Sequence, residues 1–260
     1  MDPTEQQTQI ALDENHWWYR GRRRYIRAAL DGLELRPAAR ILDAGCGSGR
    51  TLDDLAGYGQ VSGIDLSEFA AAAARARGHA DVHVGRVEAL PWADASFDLV
   101  TALDVVEHTP DDRATLTEMR RVTRPRGHAL ITVPAYQRLF SAHDVVNHHY
   151  RRYSRGLLTA AAQEAGWTVD WTAYFNSILL APAAVVRMAR YRGSDQPKRR
   201  SDFEITPRAI SALLELPMWA EAALLRLGVR LPAGLSLLAL LTNPGGATDT
   251  PARDSLEPTP

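Results

Sequence analysis

The stretch ILDAGCGSGR, residues 41–50, decides the fold of this chain. An apolar run ends within it at Asp43, and glycines follow at positions 45, 47 and 49. Glycine leaves little side chain in the turn, so the backbone there can come unusually close to another molecule. The pattern therefore predicts a buried strand that ends in a ligand-binding turn.

Short apolar runs alternate with helical patterns on both sides of this turn. Strands are predicted at residues 39–44, 59–65, 81–85, 97–104, 128–134, 166–174 and 235–242. Helices are predicted at residues 20–33, 50–57, 67–77, 111–124, 155–165, 177–191 and 207–228. Strands separated by helices imply right-handed crossovers and a largely parallel sheet. The predicted fold class is α/β, a doubly wound, mostly parallel seven-stranded sheet with helices on both faces and a helical insertion before the last strand.

The helix predicted at residues 111–124 has a start signal. Thr109 is a candidate N-cap, and Pro110 would occupy the first helical position, ahead of acidic residues in the first turn. Sheets of this kind bind ligands at the carboxyl ends of their strands. The glycine turn lies at the carboxyl end of the first strand, so a ligand is predicted there.

Composition divides the chain into a core domain and less regular segments. We expect a flexible tail at 1–15, a core at 16–174, a helical insertion or cap at 175–233, the last core strand at 234–242 and a disordered tail at 243–260. Both tails lack the apolar surface needed to order themselves. The insertion is apolar enough to pack on the core, to form a homodimer interface, to form a wall of the site for an apolar acceptor, or to contact a membrane surface.

Charge and cysteine content limit the partners. Thirty basic residues against thirty-one acidic ones give a net charge of -1, so no nucleic-acid partner is expected. Cys46 is the single cysteine, which excludes an intramolecular disulfide, and we interpret it as a small residue that fills a tight turn.

The apolar stretches are shorter than the ~20 residues of a membrane span, and the polar start is unlike a signal peptide. A cytoplasmic location is expected.

The charge beside the glycine turn narrows the choice of ligand. A dinucleotide-binding turn spaces its glycines G-x-G-x-x-G, whereas this turn has G-x-G-x-G directly after Asp43. A carboxylate there would repel a phosphate but attract the ammonium and sulfonium groups of S-adenosyl-L-methionine. Asp65, at the end of the second strand, is placed to accept hydrogen bonds from ribose hydroxyls. The residues therefore favour S-adenosylmethionine as cofactor and disfavour nicotinamide-dependent oxidoreduction.

Several segments together carry a family resemblance. They are LDAGCGSG (42–49) with GIDLS (63–67), GRVEALPWADASFDLV (85–100), LDVVEH (103–108) and RRVTRPRGHALITVPAY (120–136). In this order they resemble the successive motifs of class I S-adenosylmethionine-dependent methyltransferases of the methyltransferase type 11 group, over about residues 38–174. The resemblance implies a Rossmann-like fold and methyltransferase activity.

The resemblance also implies where the cofactor would lie. The methionine part would be surrounded by Asp43, Gly45, Gly47 and Gly49, and the ribose would be held by Asp65. The adenine would pack on Leu66 and lie along Val87 and Glu88. The sulfonium would be enclosed by Leu103 and Asp104. A lid would come from the helix before the first strand, with Trp18 or Tyr19 over the cofactor and Arg22 or Arg23 at its carboxylate. Arg86 departs from the family, which often has Asp there, because a guanidinium cannot accept from the adenine amino group.

The loop after the fourth strand is a candidate part of the acceptor site. Its sequence LDVVEHTPDD is similar to the corresponding loop of polyprenyl-dihydroxybenzoate O-methyltransferases, where acidic residues and a His bind a divalent metal. Carboxylate and imidazole groups here could hold Mg²⁺ or Mn²⁺ in principle. No metal is expected, however, and Glu107 and His108 are predicted to order the loop.

A second polar segment, SAHDVVNHHYRRYSR at 141–155, is expected to face the acceptor. Methyl transfer to oxygen or nitrogen needs a group that removes a proton, and near neutral pH this is usually His. His149 is the first candidate for this base, His143 the second and His108 the third. The alternative is that these residues cap the following helix and bind its neighbours. The adjacent arginines could grip an acceptor carboxylate or phosphate, or be solvated.

The sequence thus predicts an S-adenosylmethionine-dependent methyltransferase acting on a small-molecule acceptor. Oxygen is the expected acceptor atom, in a phenol, a quinone precursor, a sugar or a natural product. The alternatives are an N- or C-methyltransferase and a non-enzymatic regulatory protein that binds S-adenosylmethionine. Neither nucleic acid nor a transmembrane segment is expected, while peripheral membrane contact and a homodimer through the insertion stay open.

Overall fold

A computed structural model describes residues 16–180 and 208–245 of the chain. The predicted tail at 1–15, the helix predicted at 177–191 beyond residue 180, and residues 246–260 of the predicted second tail lie outside the described residues. The strands are β1 Ala39–Ala44, β2 Gly59–Asp65, β3 Val82–Val84, β4 Phe97–Leu103, β5 Thr123–Pro134, β6 Thr168–Phe175 and β7 Ser236–Thr242. The α-helices are α1 Trp17–Leu30, α2 Arg50–Leu55, α3 Glu68–Ala76, α4 Asp112–Val122, α5 Ala142–Val146, α6 Arg155–Glu164 and α7 Arg208–Arg226.

The strands form one seven-stranded sheet in the order β3-β2-β1-β4-β5-β7-β6. The first five strands of this order are parallel, and β7 runs antiparallel to both β5 and β6. The predicted seven-stranded, mostly parallel α/β fold is confirmed. The chain winds outward from β1 to β3 and then returns to the other side of β1, so the sheet reverses direction between β1 and β4. The glycine turn follows β1 at this reversal, which is where open α/β sheets bind ligands.

Strand β1 explains why the sheet is covered on both faces. Ile41 and Leu42 are consecutive and fully buried, and their side chains enter two different core clusters because side chains alternate along a strand. The cluster around Leu42 includes residues of α4 and α6, and the cluster around Ile41 includes residues of α1 and α7. A strand buried on both faces needs consecutive apolar residues, which Ile41 and Leu42 provide.

Helix α7 belongs to the segment predicted as a helical insertion, and it packs on α1. A Cβ atom built on Gly21 of α1 would overlap the Met218 side chain of α7, so the absence of a side chain lets the two helices approach closely. Arg20 and Glu215 form an ion pair across the same contact. In the described part of the chain, no helix is long and apolar enough to cross a bilayer.

Several predicted boundaries were wrong. Helix α1 begins at Trp17 and ends at Leu30, each three residues before the predicted bounds of 20–33. Helix α4 begins at Asp112 with Asp111 as its N-cap, whose Oδ1 accepts from the backbone nitrogen of Ala114 at 3.0 Å. The predicted cap Thr109 instead donates its hydroxyl to the carbonyl of Val106 at 2.8 Å, and Pro110 precedes the helix. Strand β5 starts at Thr123, five residues before the predicted 128, because the chain enters the strand directly from α4.

Candidate cofactor and acceptor site

The glycine turn after β1 is built so that one of its glycines faces open space. Gly45, Gly47 and Gly49 have φ angles of 83°, 53° and 81°, a region that side chains disfavour. A Cβ on Gly45 would overlap Val105, and one on Gly49 would lie 2.8 Å from the Cβ of Ala74. A Cβ on Gly47 would meet no heavy atom of the described residues within 4 Å. Packing therefore requires glycine at the outer two positions, while the middle one leaves a cradle that a ligand can enter.

Asp65, at the end of β2, holds the backbone of the glycine turn through its carboxylate. Its Oδ2 accepts from the backbone nitrogen of Gly47 and its Oδ1 from that of Ser67, both at 2.9 Å. Burial raises the pKa of Asp65, and the two backbone hydrogen bonds oppose that rise. Its position at the strand end, beside an open turn, suits a carboxylate that holds ribose hydroxyls.

Asp43 lies beneath the turn and is only 2 % exposed. Its Oδ1 accepts from the Thr101 hydroxyl on β4 at 2.6 Å. A carboxylate at the base of the turn favours a cation over a phosphate above it, because the buried charge is poorly screened. Cys46 in the same turn is also buried, and burial raises the pKa of its thiol, which supports its interpretation as a filler rather than a nucleophile.

The adenine side of the predicted site is open. Leu66 is 68 % exposed although it is large and apolar, as expected of a residue that a ligand covers, and Val87 is buried nearby in the core cluster. Arg86 is exposed and pairs with Glu88 at 2.7 Å. The guanidinium thus points outward, so the departure from the family does not place a positive charge in the cradle.

The end of β4 carries the predicted floor of the site. Asp104 has a positive φ of 59°, its backbone nitrogen donates to the carbonyl of Thr132 at 2.9 Å, and the Thr132 hydroxyl lies 3.2 Å from its Oδ1. Arg22 of α1 forms an ion pair with Asp104 and lies within 3.4 Å of the Leu103 carbonyl. The structure therefore brings α1 to the cofactor side of the sheet.

The basic and aromatic face of α1 is organised around Arg22. Its guanidinium lies 5.0 Å from the ring of Trp18 and 5.2 Å from that of Tyr19, which suits cation–π contacts. Arg23, the alternative partner predicted for the cofactor carboxylate, instead faces Asp54 of α2 at 3.6 Å. Of the two arginines, Arg22 is the one that reaches the predicted site.

A histidine and carboxylate cluster lies next to this floor. Glu107, in the short 3₁₀ turn Val106–His108, is fully buried, and neither of its carboxylate oxygens has a hydrogen-bond partner among the described residues. Burial and the nearby charge of Asp104 raise the pKa of Glu107 well above its usual value. The rings of His108 and His149 lie perpendicular at 4.6 Å between centroids. One ligand atom from each of Glu107, His108 and His149 lies within 4.8 Å of the others.

His149 is held by a buried carboxylate that sequence reasoning did not assign to it. Its Nδ1 lies 2.9 Å from Oδ1 of Asp144, which also accepts from Nε of Arg152 at 2.7 Å. Burial alone would raise the pKa of Asp144, but the hydrogen bond with His149 and the charge of Arg152 hold it well below its usual value. The sequence gives no local signal for this triad, because only the folded loop shows which carboxylate the ring meets.

The loop that carries His149 is tied to the end of β4. The backbone nitrogen of Tyr150 donates to the carbonyl of Glu107 at 2.8 Å. Arg151 pairs with Asp112 at 3.2 Å, and the Tyr153 hydroxyl donates to the same carboxylate at 2.8 Å. The adjacent arginines thus bind neighbouring acids of the chain. The side chain of His143, the second candidate base, lies outside the described residues, although its backbone belongs to α5.

Comparisons with known proteins find similarity to methyltransferases. Residues 42–131 match the family model described as a methyltransferase domain. A Mycolicibacterium smegmatis protein named "Probable S-adenosylmethionine-dependent methyltransferase" is 34 % identical over 165 residues, 62 % of this chain and 62 % of the relative. The ubiquinone biosynthesis O-methyltransferase of Alkalilimnicola ehrlichii is 37 % identical over 115 residues, 42 % of this chain and 45 % of the relative. The match thus spans less than two thirds of either relative.

A solved structure shares the fold over nearly the whole chain. It is a Haloferax volcanii methyltransferase in complex with the Trm112 methyltransferase activator, with a TM-score of 0.61, 20 % identity, and coverage of 94 % of this chain and 96 % of that one. The sheet order and the glycine turn define a Rossmann-like α/β fold. Residues 42–131 thus match the methyltransferase-domain family, and the chain is similar to S-adenosylmethionine-dependent methyltransferases in sequence and to a methyltransferase complex in fold.

Proposed function

We propose that this protein transfers a methyl group from S-adenosylmethionine to an oxygen atom of a small-molecule acceptor. The observation that carries the proposal is the open face of Gly47, backed by Asp65 and Asp43 at the ends of two adjacent strands. Such a cradle fits a nucleoside with a cationic tail better than a pyrophosphate, because the carboxylates repel phosphate. A small acceptor oxygen is favoured by relatives that include the ubiquinone biosynthesis O-methyltransferase.

Different residues would bind different parts of the cofactor. Asp65 would hold the ribose hydroxyls, Leu66 would cover the adenine, and the bare backbone at Gly47 would admit the methionine part. The sulfonium would lie near Leu103 and Asp104, at the end of β4. When bound, the cofactor supplies an electrophilic methyl carbon whose leaving group is a neutral thioether.

The chain's own contribution to the chemistry would be positioning and proton removal. His149 is the proposed base, since Asp144 holds its ring through Nδ1 and favours the cation that forms when the ring takes a proton. The acceptor O–H would give its proton to His149, and the acceptor oxygen would take the methyl group that the bound cofactor would supply. Net charge is conserved, because a sulfonium is replaced by an imidazolium.

Replacing His149 with Gln tests the base. We expect kcat to fall about 10²–10⁴-fold, the usual contribution of a general base, with the affinity for S-adenosylmethionine nearly unchanged. Calorimetry would measure that affinity, and methyl release from S-adenosylmethionine over a panel of phenols and other hydroxylated acceptors would measure turnover. His128→Gln is a matched control, because that ring lies 3.0 Å from the Thr242 hydroxyl, where β7 ends.

The same measurements separate the alternatives. Turnover by the unaltered protein would exclude a purely regulatory binding protein. Full activity in His149→Gln would show that another group removes the proton. Binding of NAD without binding of S-adenosylmethionine would contradict the proposed function as a whole.

A further inference from the structure

Glu107 is a buried carboxyl group that lies near Asp104, Arg22 and Arg152. These charged neighbours are already paired, Asp104 with Arg22 and Arg152 with Asp144. Glu107 is fully buried, and both of its oxygens lack hydrogen-bond partners among the described residues. A buried carboxylate without partners is costly, so it either stays protonated or meets a cation.

The groups beside Glu107 are those that bind a transition-metal ion. Ligand atoms of Glu107, His108 and His149 lie within 4.8 Å of one another, close enough for one ion to reach all three. His108 is exposed, so the cluster has a path to solvent.

The second contacts of the two histidines also match those of metal ligands. Metal-binding histidines usually donate their other ring nitrogen to a carboxylate or a backbone carbonyl, which fixes the ring. His149 meets the Asp144 carboxylate at 2.9 Å through Nδ1, and His108 hydrogen-bonds to the backbone of Asn147. Asp104 is not part of the cluster, because it pairs with Arg22 and Thr132.

We propose that Glu107, His108 and His149 form a site for a divalent first-row transition ion such as Zn²⁺, and that the bound ion inhibits the methyltransferase. One carboxylate and two imidazoles favour such an ion over Mg²⁺, which prefers oxygen ligands. An ion bound to His149 occupies the proposed base and blocks proton removal. The inhibition rests on the proposed function, whereas the binding does not.

The experiment uses the untagged full-length protein, stripped of metal. We expect one Zn²⁺ to bind in calorimetry, Co²⁺ to give visible ligand-field absorption at the same stoichiometry, and Mg²⁺ not to compete. Glu107→Gln and His108→Asn should each weaken Zn²⁺ binding at least about tenfold, in the range for altered metal sites. His128→Gln should bind as the unaltered protein does. His108→Asn changes an exposed ring, so its result stands even if Glu107→Gln fails to fold.

Binding and activity readouts keep the two proposals apart. Absence of Zn²⁺ binding to the unaltered protein, or equal binding by His108→Asn, would overturn the metal site whatever the activity. If the site binds Zn²⁺, methyl transfer should fall as it fills and recover with a chelator. Undiminished turnover with the site filled would overturn the inhibitory role, and the His149→Gln result would then tell whether the base was also misassigned.

Discussion

At the scale of single residues, two glycines of the same turn have different roles: Gly49 is needed for packing, and Gly47 leaves space for a ligand. Gly47→Ala places a methyl group in open space at a positive φ, so we expect a loss of about 1 kcal/mol in stability but a marked fall in affinity for S-adenosylmethionine. Gly49→Ala adds a clash with Ala74 to the same strain, so we expect a loss of about 2–5 kcal/mol. Thermal unfolding and calorimetry on the pair would check this, and equal effects on binding and stability in both variants would contradict it.

Asp65 should show opposite effects of pH on folding and on binding. Because burial raises its pKa above the unfolded value, this group favours the folded state as pH falls through the folded pKa and opposes it above that pKa. Cofactor affinity should move the other way, since a protonated carboxyl accepts ribose hydrogen bonds less well.

Replacing Asp65 with Asn tests this assignment. We expect S-adenosylmethionine to bind about 10–100-fold more weakly at pH 8, equivalent to one or two charged hydrogen bonds, and the weakening of binding between pH 8 and pH 5 to be smaller than in the unaltered protein. Calorimetry at the two pH values measures both. An unchanged pH dependence would mean that another group, such as Asp43, controls it.

At the scale of elements, the strands were the most predictable part. Apolar runs such as ARILDA and FDLVTAL are buried on both faces, so they leave a strong signal that needs no tertiary information. The alternation with helices predicted a largely parallel sheet, and the structure places the glycine turn at the switch between β1 and β4. The place of the glycine turn, at the carboxyl end of β1, could therefore be predicted from local pattern.

Boundaries and the acceptor side depend on contacts that the pattern does not contain. Thr109 and Asp111 are both good N-caps by type, and the structure distinguishes them because the Thr109 hydroxyl is used by the turn before the helix. The distance between His108 and His149 is likewise a tertiary fact, since 41 residues separate them. Sequence supplied the candidate histidines, and only the fold shows that one buried carboxylate orients the first of them.

At the scale of the whole molecule, α7 is fastened to the core that carries the site. Buried Glu221 accepts from the backbone nitrogens of Asn176 and Ser177, at 2.6 and 2.8 Å, where the chain leaves β6. Tyr25 of α1 stacks on Phe175 at 4.7 Å between ring centroids, so α1, β6 and α7 share one cluster. Because α1 also brings Arg22 to the end of β4, packing of α7 supports the cofactor side indirectly.

Glu221→Ala should therefore destabilise the whole protein, with α7 and the sheet still unfolding together in one transition. The backbone N–H groups of buried Asn176 and half-buried Ser177 would lose their acceptor, which costs roughly 2–5 kcal/mol in the free energy of unfolding. Glu164→Ala is a matched control, since Glu164 is exposed and pairs with exposed Arg113, a contact worth less than about 1 kcal/mol. Urea unfolding followed by fluorescence and by circular dichroism should give one coincident transition shifted to lower urea. Two separated transitions in Glu221→Ala would show instead that α7 unfolds independently of the sheet, and the affinity for S-adenosylmethionine should then be unaffected while the sheet stays folded.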